Sequence, residues 1–219
     1  MIVLVPDSVL TVWDPVVGTQ LSYNVLYASD DTPVLITWDK RFIWAAKSRA
    51  ISSWDIGTGT PRQLSLQTMD HTPNAGVFHD KRFVWTLNRT GALRRVDPAK
   101  AANRLSVFTL SGSFRDLTGD GNSLWTINLT SGNIEQYDSV TGTLKGGFAH
   151  PTDALGLHYD GRFLWVIAGT GLGQGIIYQY DPVTGTSTYN FNTRLYPTTA
   201  GGPLSLTGNG RFLYATELV

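Results

Sequence analysis

His71 follows Asp70, and His150 precedes Asp153 by three residues, so two segments of this chain set an imidazole near a carboxylate. That pairing can hold a divalent metal, as in hydrolytic enzymes. Asp31, Arg49, Arg89 and Arg115 add charge at comparable points of other segments. Where such charges converge on a concave mouth they act through a lower effective dielectric than on an open surface, and a modest ligand can be held there. No spacing among these residues matches a metal motif, and no nucleophile elbow, zinc helix or phosphate loop is present. Gly169-Thr170-Gly171-Leu172-Gly173-Gln174-Gly175 runs into Ile176-Ile177-Tyr178, which reads as a strand, so it is a loop and not a dinucleotide cradle. With no cysteine, thiolate ligands, disulfides and a cysteine nucleophile are excluded. No catalytic residue, metal or cofactor is therefore assigned. Asp31, Arg49, His71, Arg89, Arg115, His150 and Asp153 are read as ligand-binding groups.

The elements that must position these residues are written in repeats. Asp39-Lys40-Arg41-Phe42-Ile43-Trp44 recurs at Asp80, Asp120, Asp160 and Asn209, at separations of 41, 40, 40 and 49 residues. Asp or Asn followed by Lys or Gly makes a tight turn, and the apolar, aromatic run after it reads as a buried strand. A second motif has its Asp at positions 14, 55, 97, 138 and 181, as in Tyr180-Asp181-Pro182-Val183-Thr184-Gly185. Here Asp opens the turn, Pro presets φ in three of the five copies, and Gly closes four of them. Two landmarks with one period of about 40 residues predict a β-propeller.

The best-formed unit predicts strands at Ala154–Tyr159, Arg162–Ala168, Gly175–Tyr180 and Thr186–Phe191. The chain is out of phase at its ends, opening on a third and fourth strand (Val9–Asp14, Gln20–Leu26) and closing on a first and second (Pro203–Leu206, Phe212–Glu217). The expected fold is thus all-β: one domain, 1–219, forming a five-bladed propeller of four-stranded antiparallel blades. A blade shared between the two ends would close the ring and leave no exposed edge there. Ile2–Val5 is an apolar piece outside the template, read as an added strand beside that blade.

Asp-Gly-Arg-Phe-Leu-Trp-Val at 160–166 followed by Ile-Tyr-Gln-Tyr-Asp-Pro-Val-Thr-Gly at 177–185 resembles the YVTN and quinoprotein-like propeller repeats, and does so across nearly the whole chain. That resemblance implies the fold and leaves function open, since enzymes, binding proteins and assembly factors share it. In size the chain is also similar to five-bladed propeller lectins, which implies shallow sugar sites between blades, although no lectin motif is present.

Trp44, Trp85, Trp125 and Trp165, with Tyr214, hold one repeat position and are read as core. Trp38 has no Trp counterpart and is the one aromatic considered for a partner, though packing is the leading reading. The repeated Asp residues are turn formers, and His79 and His158, beside turn Asp residues, are expected to face solvent or to cap. Asn88-Arg89-Thr90 and Asn128-Leu129-Thr130 match the glycosylation triplet, a pattern common by chance. Charge is sparse and balanced, 17 Lys and Arg against 17 Asp and Glu, which argues against nucleic acid or anionic lipid as partner. The first residues lack a basic region and no apolar run is long enough to span a bilayer, so neither a signal peptide nor membrane insertion is expected. The expectation is a non-enzymatic binding or assembly module with a protein or carbohydrate partner, on a virion or cell surface. A metal-dependent hydrolase or lyase and a lectin are the alternatives.

Overall fold

The computed structural model describes residues 8–14, 19–27, 35–38, 42–47, 50–55, 67–68, 73–97, 104–169, 175–193, 205–208 and 211–218. The described residues form strands, turns and irregular segments, with no helix among them. Strands β1 (Ser8–Asp14) and β2 (Thr19–Tyr27) pair antiparallel. β3 (Leu35–Trp38), β4 (Phe42–Lys47), β5 (Ala50–Asp55) and the short β6 (Gln67–Thr68) follow as one sheet. The next comprises β7 (Gly76–His79), β8 (Val84–Leu87), β9 (Ala92–Val96) and β10 (Arg104–Thr109). A third is β11 (Phe114–Gly119), β12 (Ser123–Asn128), β13 (Asn133–Asp138) and β14 (Leu144–Ala149). A fourth is β15 (Ala154–Tyr159), β16 (Leu164–Gly169), β17 (Gly175–Tyr180) and β18 (Ser187–Thr193). Finally β19 (Ser205–Gly208) pairs with β20 (Leu213–Leu218), and β20 pairs with β1, so one four-stranded sheet holds strands from both ends of the chain. The segment Ile2–Val5 lies outside the described residues.

The first strands are neighbours in chain order: β3 lies beside β7, β7 beside β11, β11 beside β15, β15 beside β19, and β19 beside β3. Apolar clusters fill the space between consecutive sheets. Trp85, Leu87 and Leu93 pack with Phe114, Leu117 and Tyr137, and Trp125 and Ile127 with Leu157, Val166 and Tyr180. Trp44, Trp85, Trp125, Trp165 and Tyr214 are all buried, as their shared repeat position predicts. Both faces of β8, β12 and β16 are covered, which explains why their sequences lack the alternation of a half-solvated strand.

The turn motifs act through their carboxylates. Asp80 Oδ1 accepts the backbone N–H groups of Arg82 and Phe83, and Asp160 Oδ1 those of Arg162 and Phe163. The other oxygen of each accepts the indole N–H of Trp85 or Trp165 at 2.7 Å, locking turn to core. In the second motif Asp138 and Asp181 cap their turns similarly, and Gly142 and Gly185 close them at φ 70° and 67°. Those glycines are required twice over. A Cβ on Gly142 would stand 2.7 Å from the Phe108 ring, and one on Gly185 would stand 2.6 Å from Phe148, each ring belonging to the preceding sheet.

The structure corrects the reading of two histidines. His79 and His158 are 7% and 9% exposed, not solvent-facing. The strand alternation turns both rings into the space between sheets. His79 stacks on Trp44 at 5.5 Å, while its Nδ1 does cap the turn by accepting the Lys81 N–H. His158 packs against Gly208, whose Cβ, if present, would lie 2.8 Å from His158 Nε2. Burial lowers the His158 pKa to about 4, the nearby Asp160 carboxylate opposing this. Trp38 is partly buried and stacks on Tyr214 with ring centroids 5.7 Å apart, which favours its packing role.

Candidate functional site

The rim at which the first strands begin, here the upper rim, carries the loops that differ most between repeats. Of the predicted binding residues, Arg89, Arg115, His150 and Asp153 are described, whereas Asp31, Arg49 and His71 lie outside the described residues. The 170–174 part of the glycine-rich loop lies outside them as well.

Arg89 sits in the turn joining β8 to β9. Its N–H donates to Asn74 Oδ1 at 2.8 Å, and its carbonyl accepts from Phe114 N–H at 3.0 Å, so its backbone is pinned between two sheets while its side chain is exposed. Arg115 is half-buried on β11 and donates from Nη1 to the Ala154 carbonyl at 3.3 Å, on the neighbouring sheet. Burial holds the Arg115 guanidinium below its ordinary pKa, like-charge repulsion from Arg89 adds to this, and Asp153 opposes it. Asp153 is exposed, in the left-handed region at φ 59°, a conformation Asp tolerates better than most residues. The structure therefore brings Arg89, Arg115 and Asp153 within electrostatic reach of one another. His150 stands apart in its chemistry: Nδ1 donates to the Pro151 carbonyl at 2.8 Å, and the buried Nε2 has no hydrogen-bond partner among the described residues. Among the described residues no group of three or more His, Cys, Asp or Glu side chains could hold a metal ion.

Below this rim lies a residue that sequence reasoning passed over. Four positions before each turn Asp or Asn stand Leu35, Gly76, Asp116, Gly156 and Ser205. Asp116 is fully buried, at φ 55° in a bulge between Arg115 and Leu117. Its Oδ1 accepts the Leu117 N–H at 2.8 Å, and its Oδ2 accepts Leu157 N–H at 2.7 Å and Leu206 N–H at 3.4 Å. Its own N–H donates to the Ala75 carbonyl at 2.6 Å. Ser205, which also bonds the carboxylate, exchanges two 3.3 Å hydrogen bonds with the backbone of Ile36. The Asp116 carboxylate and the Ser205 hydroxyl thus tie together the first strands β3, β11, β15 and β19, and the backbone N–H of Asp116 adds a link to Ala75, the residue before β7. Burial raises the Asp116 pKa to about 8, the backbone donors and Ser205 acting in the opposite sense without offsetting it. The signal that marks Asp116 in the sequence is a charged side chain where two repeats place glycine.

A second buried carboxylate, Glu135, accepts from Asn128 Nδ2 and Ser131 Oγ at 2.8 Å each and from the Tyr137 hydroxyl at 2.5 Å. These partners leave it a structural group, and burial followed by Glu135 itself raises the Tyr137 pKa. Asn128 is 3% exposed with its amide engaged, so its glycosylation triplet has no accessible acceptor.

No protein-family model and no curated protein sequence matches the chain. Solved structures do. A chain from the crystal structure of a mitotic checkpoint complex is 17% identical, with a TM-score of 0.55, over 92% of this chain and 61% of that one. This chain therefore spans under two thirds of that neighbour's length. Myxococcus xanthus glutaminyl cyclase is 11% identical, with a TM-score of 0.65, over 84% of this chain and 90% of its own. Both neighbours are β-propellers, and the fold of this chain is a β-propeller.

Proposed function

We propose that the chain is a five-bladed propeller, closed by the sheet that unites its two ends, and that it works as a non-enzymatic module docking a protein partner on its upper rim. The observation that carries the binding reading is the Arg89–Arg115 pair. Two guanidinium groups that repel one another, one of them half-buried, are relieved by a carboxylate placed between them, so acidic side chains of a partner fit this rim. The neighbours are compatible with a binding module and with an enzyme alike, since one belongs to a protein complex and the other is an enzyme. The absence of repeat constraint on the upper loops favours this face, because the lower turns are explained by folding alone.

The test replaces Arg89, Arg115, His150 and Asp153 together by Ala or Asn, and a matched set, Lys81 and Arg162, on the opposite rim. With melting profiles retained, the first set is expected to abolish capture of the partner that co-purifies from the native source, and the second to leave it intact. The reverse pattern would move the interface to the other face. Closure is tested separately by deleting residues 211–219, which removes β20 from between β19 and β1 and opens two sheet edges. Aggregation or loss of cooperative unfolding is expected. A truncated chain that stays monomeric with an unchanged melting curve would sink the shared-blade arrangement.

A further inference from the structure

The sheet β15–β18 ends on β18, whose outer edge pairs with no other strand among the described residues. Such an edge presents a row of unpaired N–H and C=O groups, and proteins usually guard it with a charge, a proline or a short length. Three of the other outer strands are guarded in this way. β6 has two residues, β10 opens on Arg104, and β14 carries Lys145 followed by two glycines. β18 is seven residues long, and no charge stands between Asp181 and Arg194. Thr188 occupies the bulge position that Lys145 holds on β14, and from Tyr189 to Thr193 the ladder to β17 is regular. Ser187, Thr188, Tyr189, Asn190 and Asn192 are exposed, whereas Phe191 packs on the cluster of Trp165, Ile167 and Ile177.

The residue order of β18 is chemically symmetric about Asn190. Tyr189 answers to Phe191, Thr188 to Asn192 and Ser187 to Thr193. If the strand lies antiparallel to a copy of itself centred on Asn190, each residue stands opposite its chemical counterpart. Tyr189 of one copy then meets Phe191 of the other, twice over, and Thr188 meets Asn192. Aromatic pairs and neutral polar pairs across strands both favour pairing. The Tyr189 and Phe191 rings already lie 5.9 Å apart along the strand, so four rings would gather on one face. Asn190 meets itself, and its amide both donates and accepts. A charge on such a strand would be brought beside its own copy, which accounts for an edge left uncharged. The net charge of the chain is zero, so two copies approach without long-range repulsion. β2 is also uncharged over nine residues, but its order about Tyr23 sets Gln20 against Leu26 and the symmetry fails there.

We propose that β18 is a self-association edge, which pairs antiparallel with β18 of a second copy of this chain on a two-fold axis through Asn190. The sheets β15–β18 of the two copies then form one continuous eight-stranded sheet. The pairing is isologous and uses up both edges, so it closes at a dimer and does not propagate into a fibre. Tyr189, 42% exposed in the single chain, is covered in the pair. The edge lies apart from the upper-rim loops, and the docking reading of that rim stands or falls separately.

The experiment is sedimentation of the full chain over a range of concentrations, with melting curves to show that each variant folds. Wild type is expected to form a dimer that dissociates on dilution. Asn190→Lys and Asn190→Asp each set like charges directly opposite one another, and each should raise the dissociation constant about tenfold or more. An equimolar mixture of the two variants should restore the dimer, because unlike charges then meet across the axis. Cross-linking gives a second readout, since the chain has no cysteine of its own. Asn190→Cys places two thiols on directly opposed residues, within reach of a disulfide, and should yield a covalent dimer on oxidation. Asn122→Cys, exposed on a turn of another sheet, should not. A monomeric wild type, a dimer undiminished by Asn190→Lys, a mixture that stays monomeric, or growth into higher oligomers would each overturn the proposal.

Discussion

Asp116→Leu is expected to cost several kcal/mol of stability, on the order of 3–5, enough to leave little of a typical domain's margin. Three contributions act together. Three backbone N–H groups, at Leu117, Leu157 and Leu206, lose their acceptor while staying buried, at about 1–3 kcal/mol for each that finds no substitute. Leucine at φ 55° adds backbone strain. The link from β11 to β15 and β19 is lost. Asp116→Asn is the informative companion, because Asn tolerates the same φ and retains an acceptor. It also removes a titration. The folded-state pKa of Asp116, about 8, lies above the ordinary carboxylate value of 3.8, so the folded chain holds this proton more tightly than the unfolded chain. The resulting stability is fully present below about pH 4 and is lost as pH rises through about 8. His158 acts in the opposite sense. Its pKa falls to about 4 in the folded chain from 6.5, so its contribution is present above 6.5 and is lost as pH falls toward 4. The two overlap in mild acid, and from about pH 6.5 to 8.5 the Asp116 contribution is the one of the two that still changes. Chemical denaturation across that window should show wild type losing stability with rising pH and Asp116→Asn showing a flatter profile. An identical slope for both chains would mean that the Asp116 carboxylate is already ionised throughout and that its N–H donors outweigh burial.

Trp165→Ala is expected to cost roughly 3–5 kcal/mol, the usual range for a large buried aromatic. The indole is 6% exposed and shares a cluster with Leu206, Leu213 and Ala215 of the sheet that joins the chain ends, so the cavity would open at that junction. Trp165→Phe separates packing from the turn: it keeps most of the apolar area and loses the hydrogen bond to Asp160, worth about 1.5–3 kcal/mol when the acceptor is charged. His150→Ala, at a loop position, should cost far less than Trp165→Ala. Urea midpoints for the three variants give the order directly. Equal and small effects for Trp165→Ala and His150→Ala would remove Trp165 from the core.

The sequence by itself determined the strands, the turns and the repeat, because those depend on neighbours close along the chain. Asp160 and Trp165 lie five residues apart, and Asp181 and Gly185 four, so the turn geometry that joins them is written locally, and periodicity multiplies the signal. The phase shift at the ends likewise announced that β20 would meet β1, since half-units of complementary kind stood at either end. What the tertiary structure alone decided is where one repeat departs from its siblings. His79 and His158 read as surface residues because polarity is visible in a sequence, whereas the direction of a strand face toward a neighbouring sheet is not. Asp116 lies on β11 between Arg115 and Leu117, and nothing near it along the chain showed that its carboxylate would receive the N–H groups of Leu157 and Leu206, 41 and 90 residues away. The Trp125 indole, whose N–H makes no hydrogen bond to Asp120 among the described residues, is of the same kind. Its motif is intact as letters, Asp120 to Trp125, and only packing against Tyr159 of the next sheet reveals that the bond between them is not made. Local chemistry repeats with the sequence, but long-range contacts form between units that are no longer identical, and those differences are where this propeller can be used.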